Sequence, residues 1–296
     1  MTSLSMTEMA AKLAQSPDYQ VLQRLNPIQD FTPNTASSGV PKHQVCIIDT
    51  ETTGLDTEQC ELIELGYQVV EFDANGQFYR VLCAKNFLNE PEEPIPPEVT
   101  QVTHLTDEDV RGHKIPWDEV IADIESVQLC VAHNAGFDRP IVERYADVFK
   151  QKVWGCSVRQ IKWLELTGVG SRSQERLCWK LGGFFYDAHR ALDDVQALTQ
   201  LLSQSVGEPP YPVFQALLTA VREQKVLIKA TGAPFGLKDA LKQRGYRWQP
   251  AQRVWQKMLN ASESERELTW LKENGVPSPD LKKIKATDTF SKRAER

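Results

Sequence analysis

Asp49 and Glu51 sit two residues apart at the end of a nearly unbroken apolar run, Val45-Cys46-Ile47-Ile48. Side chains alternate faces along a strand, so this spacing presents two carboxylates on one side. A run that is apolar on both faces reads as the central strand of a covered sheet. Such a strand can end in two acids only if something cationic meets them, and a metal ion is the expected cation. Two later segments offer further acids. Leu129-Cys-Val-Ala-His133-Asn-Ala-Gly-Phe-Asp138 reads as a short strand, a turn over Asn134 to Gly136, and a helix with Asp138 in its first turn. The segment His189-Arg-Ala-Leu-Asp193-Asp194 leads into a helix whose apolar stripe is Ala191, Val195, Leu198, Leu201 and Leu202. At about 100° per residue Asp194 falls inside that stripe and Asp193 on the polar side, so Asp194 is the fourth candidate ligand and Asp193 is read as surface.

Convergence of four acids needs compensation. A like-charged pair at roughly 4 Å costs about 1 to 4 kcal/mol as the effective dielectric falls from that of water to that of a protein surface. Two divalent ions remove the conflict. All-oxygen ligation selects Mg²⁺ or Mn²⁺ over Zn²⁺, since none of the six cysteines stands in a paired ligand spacing. Two such ions about 4 Å apart suit in-line displacement at phosphorus. His189, five residues before Asp194 and just outside the helix, is placed to take the proton of the attacking water, and an ordinary imidazole pKa of about 6.5 suits that task. His133 is read instead as fixing the strand-to-helix turn.

The strings IDTETTGL, AHNAGFD and HRALDD, in this order and at these separations, resemble the three motifs of the DEDDh family of 3′ to 5′ exonucleases. That family includes proofreading epsilon subunits, ribonuclease T and oligoribonuclease. The resemblance covers about residues 43 to 205 and implies that Asp49, Glu51, Asp138 and Asp194 bind two metal ions and that His189 is the general base. A sister branch carries Tyr four residues before the last Asp, where this chain has Arg190, so the histidine branch fits. Glu61-Leu-Ile-Glu64-Leu-Gly66 resembles the family's second strand. Thr52, Thr53 and Leu55, with Glu98, Thr103 and His104, are the substrate-side residues the resemblance implies. His104 departs from the pattern, because a glycine is usual at that place.

Composition frames this core. A chain of 296 residues with 41% hydrophobic residues reads as two domains, or one with appendages. No apolar run reaches the length of a membrane span, and Glu8 and Lys12 interrupt any signal core, so a soluble cytoplasmic protein with reduced, mostly buried thiols is expected. Residues 1 to 41 read as a helical extension and linker. Two short helices are expected there, the first carrying Met6, Met9 and Leu13, the second opened by Ser16-Pro17 and carrying Val21, Leu22 and Leu25, before a turn-rich stretch from Phe31 to Pro41. Residues 42 to 206 read as an exonuclease domain of ribonuclease H-like α/β fold, with strands about 68 to 72 and 77 to 82 joined at Ala74-Asn75-Gly76.

Residues 213 to 281 read as a small, Trp-containing α+β module, and 282 to 296 as a disordered tail. Within the module, residues 225 to 257 hold eight Lys or Arg against one acid, Asp239, a net +7 inside a chain of net −6. Aromatic residues interleave with this charge. Lys242, Arg244, Arg247, Trp248 and Trp255 are the candidate contacts for single-stranded nucleic acid, with cations meeting phosphates and rings stacking on bases. The competing reading makes the tryptophans a small domain's core and the lysines a solvated face. Together these features predict a two-metal 3′ to 5′ exonuclease acting on single-stranded or frayed DNA ahead of RNA, releasing nucleoside 5′-monophosphates. A replication or repair partner is compatible with it. An RNA-trimming exoribonuclease, or a nucleic-acid-binding or polymerase-associated subunit with little turnover, are the alternatives.

Overall fold

In the computed structural model, which describes residues 5–32 and 40–295, the apolar run forms β1 (His43–Thr52). On one side β1 pairs antiparallel with β2 (Leu62–Phe72), and β2 with β3 (Phe78–Leu88). On the other side β1 pairs parallel with β4 (Leu129–Ala132), and β4 with β5 (Val153–Cys156). The order β3-β2-β1-β4-β5 is a mixed sheet in which antiparallel hairpins are followed by parallel crossovers, the ribonuclease H-like α/β arrangement expected.

The helices that flank or precede this sheet include α1 (Met6–Leu13), α2 (Pro97–Thr103), α3 (Trp117–Glu125), α4 (Ala135–Tyr145) and α5 (Ala191–Leu202). The alternation of β1 divides the interior between two layers. Val45 and Ile47 enter one core with Val131 and with Val195, Leu198 and Leu201 of α5. Cys46 and Ile48 enter a second core with Cys130 and with Ile141 and Val142 of α4. Both faces are therefore covered, which is why the run carries no polar residue before Asp49. Each fully buried Val, Leu or Ile contributes about 1.5–3 kcal/mol.

Gly66 on β2 sets the distance between sheet and helix. It stands opposite Asp49, and a Cβ there would lie 2.4 Å from the Ala191 carbonyl carbon and 2.5 Å from the Leu192 nitrogen. Only glycine lets the first turn of α5 rest directly on the strand.

The N-terminal segment departs from expectation. Helix α1 forms, closed by a Ser5–Glu8 capping box, but none of its residues is buried. No second helix follows it. Gln23–Arg24 instead pairs parallel with Phe184–Phe185, and Leu25 packs against the first core. A segment this short is a marginal helix, and an open strand edge satisfies its backbone while burying Leu25. Residues 33–39, most of the expected linker, lie outside the described residues.

A second sheet consists of β6 (Lys225–Lys229), β7 (Arg247–Gln249), β8 (Val254–Asn260) and β9 (Asp280–Lys283), in the order β7-β8-β6-β9. It carries α7 (Lys238–Gln243) and α8 (Ser264–Glu273) and has its own core of Val226, Ile228, Leu241, Tyr246, Leu259 and Leu271. The helix before it, α6 (Val213–Arg222), belongs by packing to the first unit. Phe214 lies edge-on to Phe72 at 5.1 Å and against Phe78 at 4.7 Å within the first core.

The stretch 282–296, expected as a disordered tail, is ordered as far as it is described. It begins as the end of β9, and Thr289 and Ser291 are buried. The reason is Arg139, a fully buried arginine on α4. Its guanidinium donates to Glu143 Oε1 at 2.7 Å, to the Thr289 carbonyl at 2.7 Å and to the Thr287 carbonyl. Ser291 and Arg293 complete the shell of Glu143. A polar composition concealed this packing, because the partner of these residues is a charge elsewhere in the chain. Among the described residues no helix is long and apolar enough to cross a membrane.

Candidate active site

The two layers deliver different acids to one strand end. Asp49 and Glu51 share the face of Val45 and Ile47, the side on which α5 packs, and meet Asp194 from its first turn. Ligand oxygens of Asp49, Glu51 and Asp194 all lie within 4.8 Å of one another. Asp138 approaches from the other layer, on α4, and stays outside this triad. Its Oδ1 accepts the Thr50 backbone N–H at 3.2 Å and the Thr50 hydroxyl at 2.9 Å. Asp193 lies outside the group, half-exposed.

The electrostatics of the cluster are those of buried, crowded like charges. Burial and then repulsion from Asp138, Asp194 and Glu51 push the Asp49 carboxyl well above its ordinary range. Burial and the charge of Asp194 raise Glu51 to about 8, and burial raises Asp138 to about 7. Asp194 rises to about 6 through burial, although Tyr186 and the His189 N–H favour its ionised form. Hard divalent cations fit this donor set, which is made of carboxylate oxygens alone with no thiol among them.

Asp194 is held by more than its helix. Tyr186 donates its hydroxyl to Oδ1 at 2.9 Å, Gln174 Nε2 donates to the same oxygen at 3.1 Å, and the His189 N–H donates to Oδ2 at 2.8 Å. His189 takes a left-handed backbone, φ 67°, just before α5, and its side chain is exposed beside the acids. The His133 ring reaches beyond the strand-to-helix turn it was expected to fix: Nδ1 meets Ser157 Oγ at 2.7 Å and Nε2 meets the Arg172 carbonyl at 2.9 Å.

Glu64 is the participant that sequence reasoning passed over as a match without a role. It stands opposite Glu51 across the β1–β2 pair and is fully buried. Its Oε1 accepts Arg190 Nη2 at 2.8 Å and Asn86 Nδ2 at 2.8 Å, while Oε2 accepts the Ala191 N–H at 3.0 Å, the first of α5. It therefore caps the helix that carries Asp194 and anchors Arg190 beside it. The available signal was an acid within an apolar strand, which requires a cation; Arg190 was visible only as a replacement for tyrosine.

The substrate-side residues are placed unevenly. Leu55 is 89% exposed at the tip of the loop leaving β1. The hydroxyls of Thr52 and Thr53 are spent on that loop, Thr52 donating to the Gly54 carbonyl at 2.7 Å and Thr53 accepting the Glu61 N–H at 2.9 Å. They shape the backbone and leave Leu55 outermost. Thr103, expected to face substrate, is turned inward: its hydroxyl donates to the Val99 carbonyl and accepts the Leu105 N–H. Glu98 is exposed on the first turn of α2, and His104 closes that helix with φ 59°, a conformation that explains the usual glycine.

A family model described as Exonuclease (RNase_T) matches residues 46–202. DNA polymerase III subunit epsilon of Treponema pallidum is 29% identical over 167 residues, spanning 54% of this chain and 74% of that protein. DNA polymerase III PolC-type of Thermotoga maritima is 29% identical over 169 residues, 54% of this chain and 12% of that protein. Among solved structures, Exonuclease X in complex with 5′ overhanging duplex DNA aligns with a TM-score of 0.40 at 24% identity, over 54% of this chain and 89% of that one. Exonuclease I of E. coli with a dA16 oligonucleotide aligns with a TM-score of 0.46 at 13% identity, over 86% of this chain and 68% of that one.

Proposed function

The chain belongs to the RNase T-type exonuclease family, and from that premise we propose that it hydrolyses single-stranded or frayed DNA from the 3′ end, releasing nucleoside 5′-monophosphates. Asp49, Glu51, Asp138 and Asp194 would hold two divalent ions, Mg²⁺ or Mn²⁺. When bound, such ions supply Lewis-acid charge at the scissile phosphate and offset the repulsion among the carboxylates. The observation that carries this reading is the meeting of Asp49, Glu51 and Asp194 within 4.8 Å at a strand end.

His189 supplies the base. A neutral ring nitrogen accepts one proton from the attacking water as its oxygen bonds to phosphorus and the bond to the 3′ oxygen breaks. The leaving oxygen then takes a proton from solvent. Tyr186, Gln174 and the His189 N–H hold the Asp194 carboxylate in one orientation, so the histidine and the acid share one frame. Leu55, outermost on its loop, is suited to pack against the terminal base, with Glu98 and His104 on the substrate side.

The test is digestion of 5′-labelled DNA and RNA oligonucleotides, single-stranded and duplex, with Mg²⁺ and with chelator. Products shortening one nucleotide at a time from the 3′ end of DNA, abolished by chelator, are expected. Faster loss of RNA would make RNA the substrate. Relatives that are polymerase III subunits favour a cytoplasmic site of action beside a replication or repair assembly, which co-purification of the full chain with polymerase subunits would check.

A further inference from the structure

The basic module divides its charges into two groups, and the division shows which are free for a ligand. Arg244 is engaged: it pairs with Glu267 at 2.9 Å and lies over the Trp270 ring at 4.2 Å. Lys257 pairs with the same Glu267 at 3.4 Å. Trp255 and Tyr246 pack into the module's core. Arg247 is paired in register with Gln256 and so lies on the sheet face opposite to Trp255. These residues, three of them expected as strand contacts, are structural or face away.

What remains is a different set. Trp248 stands opposite Trp255 on edge strand β7, on the face that carries α7, and is 47% exposed. Its ring is braced by Trp255 at 5.5 Å, so it is presented rigidly. Phe235, just before α7, is 89% exposed, with Lys238 Nζ 5.9 Å from its ring centre. Lys242 follows Lys238 by one helical turn, and both are exposed without an ion-pair partner among the described residues. Two exposed rings, one with a cation beside it, and two lysines in no ion pair, inside a segment of net +7, complement a chain of stacked bases and phosphates.

We propose that Phe235, Lys238, Lys242 and Trp248 form a holding site for single-stranded nucleic acid upstream of the 3′ end being cleaved. This rests on the exonuclease reading for its substrate and adds to it a second point of contact. The module is fixed to the catalytic unit in a way that serves such a site. Lys292 lies 3.7 Å from Glu58, on the loop beyond Leu55, and Phe290 lies under Arg159, whose guanidinium borders Gly136 near Asp138. These contacts tie the stretch that follows β9 to the catalytic unit.

The experiment measures binding of the full chain to a long thymidine homopolymer across a salt series with chelator present, and hydrolysis of a dinucleotide with Mg²⁺. Replacing Lys238→Gln with Lys242→Gln should weaken the long strand and reduce the log–log salt slope by about 1.4, at about 0.7 per phosphate. Phe235→Ala with Trp248→Ala should weaken it about thirtyfold or more without changing the slope, and Trp248→Phe alone should keep most of the native affinity. All of these exposed changes should leave thermal unfolding and dinucleotide hydrolysis as in the native chain. Long-strand binding that is unchanged in both double variants would overturn the proposal and leave a protein partner as the occupant of that surface. Native protein that binds the long strand in this way but does not hydrolyse the dinucleotide would instead count against the exonuclease reading alone.

Discussion

Glu51 and Glu64 face each other across the same pair of strands, yet they are treated in opposite ways. Glu64 is fully buried and surrounded by donors, with Arg190, Asn86 and the first N–H of α5 on its two oxygens. Glu51 is nearer to solvent and is nonetheless raised to about 8, by burial and by the charges of Asp194, Glu64 and Asp138, which the nearby Arg190 does not offset. Glu143 repeats the pattern of Glu64, with Arg139, Arg293 and Ser291 around it. Carboxylates that serve the architecture come with their cations built in. Those of the proposed site are in no ion pair among the described residues, and a divalent ion would offset their repulsion.

The comparison breaks most visibly through activity. Asp49→Ala or Asp194→Ala should lower single-turnover hydrolysis by several orders of magnitude with the circular dichroism unchanged, while Asp193→Ala stays close to native. Inactivity of Asp193→Ala alone would reverse the assignment made from the helical face. His189→Ala should cost about 10²- to 10⁴-fold in rate, the usual worth of a general base, yet keep metal affinity when titrated by calorimetry. Loss of metal binding in that variant would make His189 a ligand.

Stability sharpens the contrast between the two glutamates. Glu64→Ala should lower urea-unfolding stability by about 2–4 kcal/mol, because it uncaps α5 and strands Arg190, which remains partly solvated. Glu51→Gln should do the reverse in metal-free protein and raise stability slightly, since glutamine has no carboxyl whose ionisation the buried cluster opposes. Destabilisation by both would mean that the cluster is structural. The smallest effect is in pH. Folded values near 6, 7 and 8 for Asp194, Asp138 and Glu51 lie above the unfolded values of about 4. Their contribution is fully present below pH about 4 and is lost as pH rises through those folded values, so metal-free protein should melt lower at pH 8 than at pH 5. A divalent ion should narrow the gap.

What could be read from the chain follows the range of each interaction. Asp49 and Glu51 were legible because strand alternation is local, and Asp194 because helical periodicity is local. Trp248 and Trp255 were correctly set on the arms of one hairpin, but no local rule separates the exposed ring from the packed one. The Glu64–Arg190 pair spans 126 positions and the contacts of Arg139 with residues 287 and 289 span about 150, so neither leaves a periodic trace. Thr103 was misjudged for a related reason: a hydroxyl turned back to cap its own helix looks the same in sequence as one turned outward. The second N-terminal helix failed because a partner strand 160 positions away competed for the same backbone.

The contacts of Arg139 also bear on how the chain is completed as it is made. Chains emerge from the ribosome in order, and their units fold as they appear. The helix bearing Asp138 is braced by the carbonyls of Thr287 and Thr289, and Asp194 reaches Asp49 only after α5 has docked on Gly66. A nascent chain that stops short of residue 191 lacks one of its four acids. One that stops short of residue 287 leaves the Arg139 guanidinium with Glu143 but without its two carbonyl acceptors. The order of synthesis thus leaves the brace of the Asp138 helix until last, and a chain truncated before residue 287 should hold that helix less firmly.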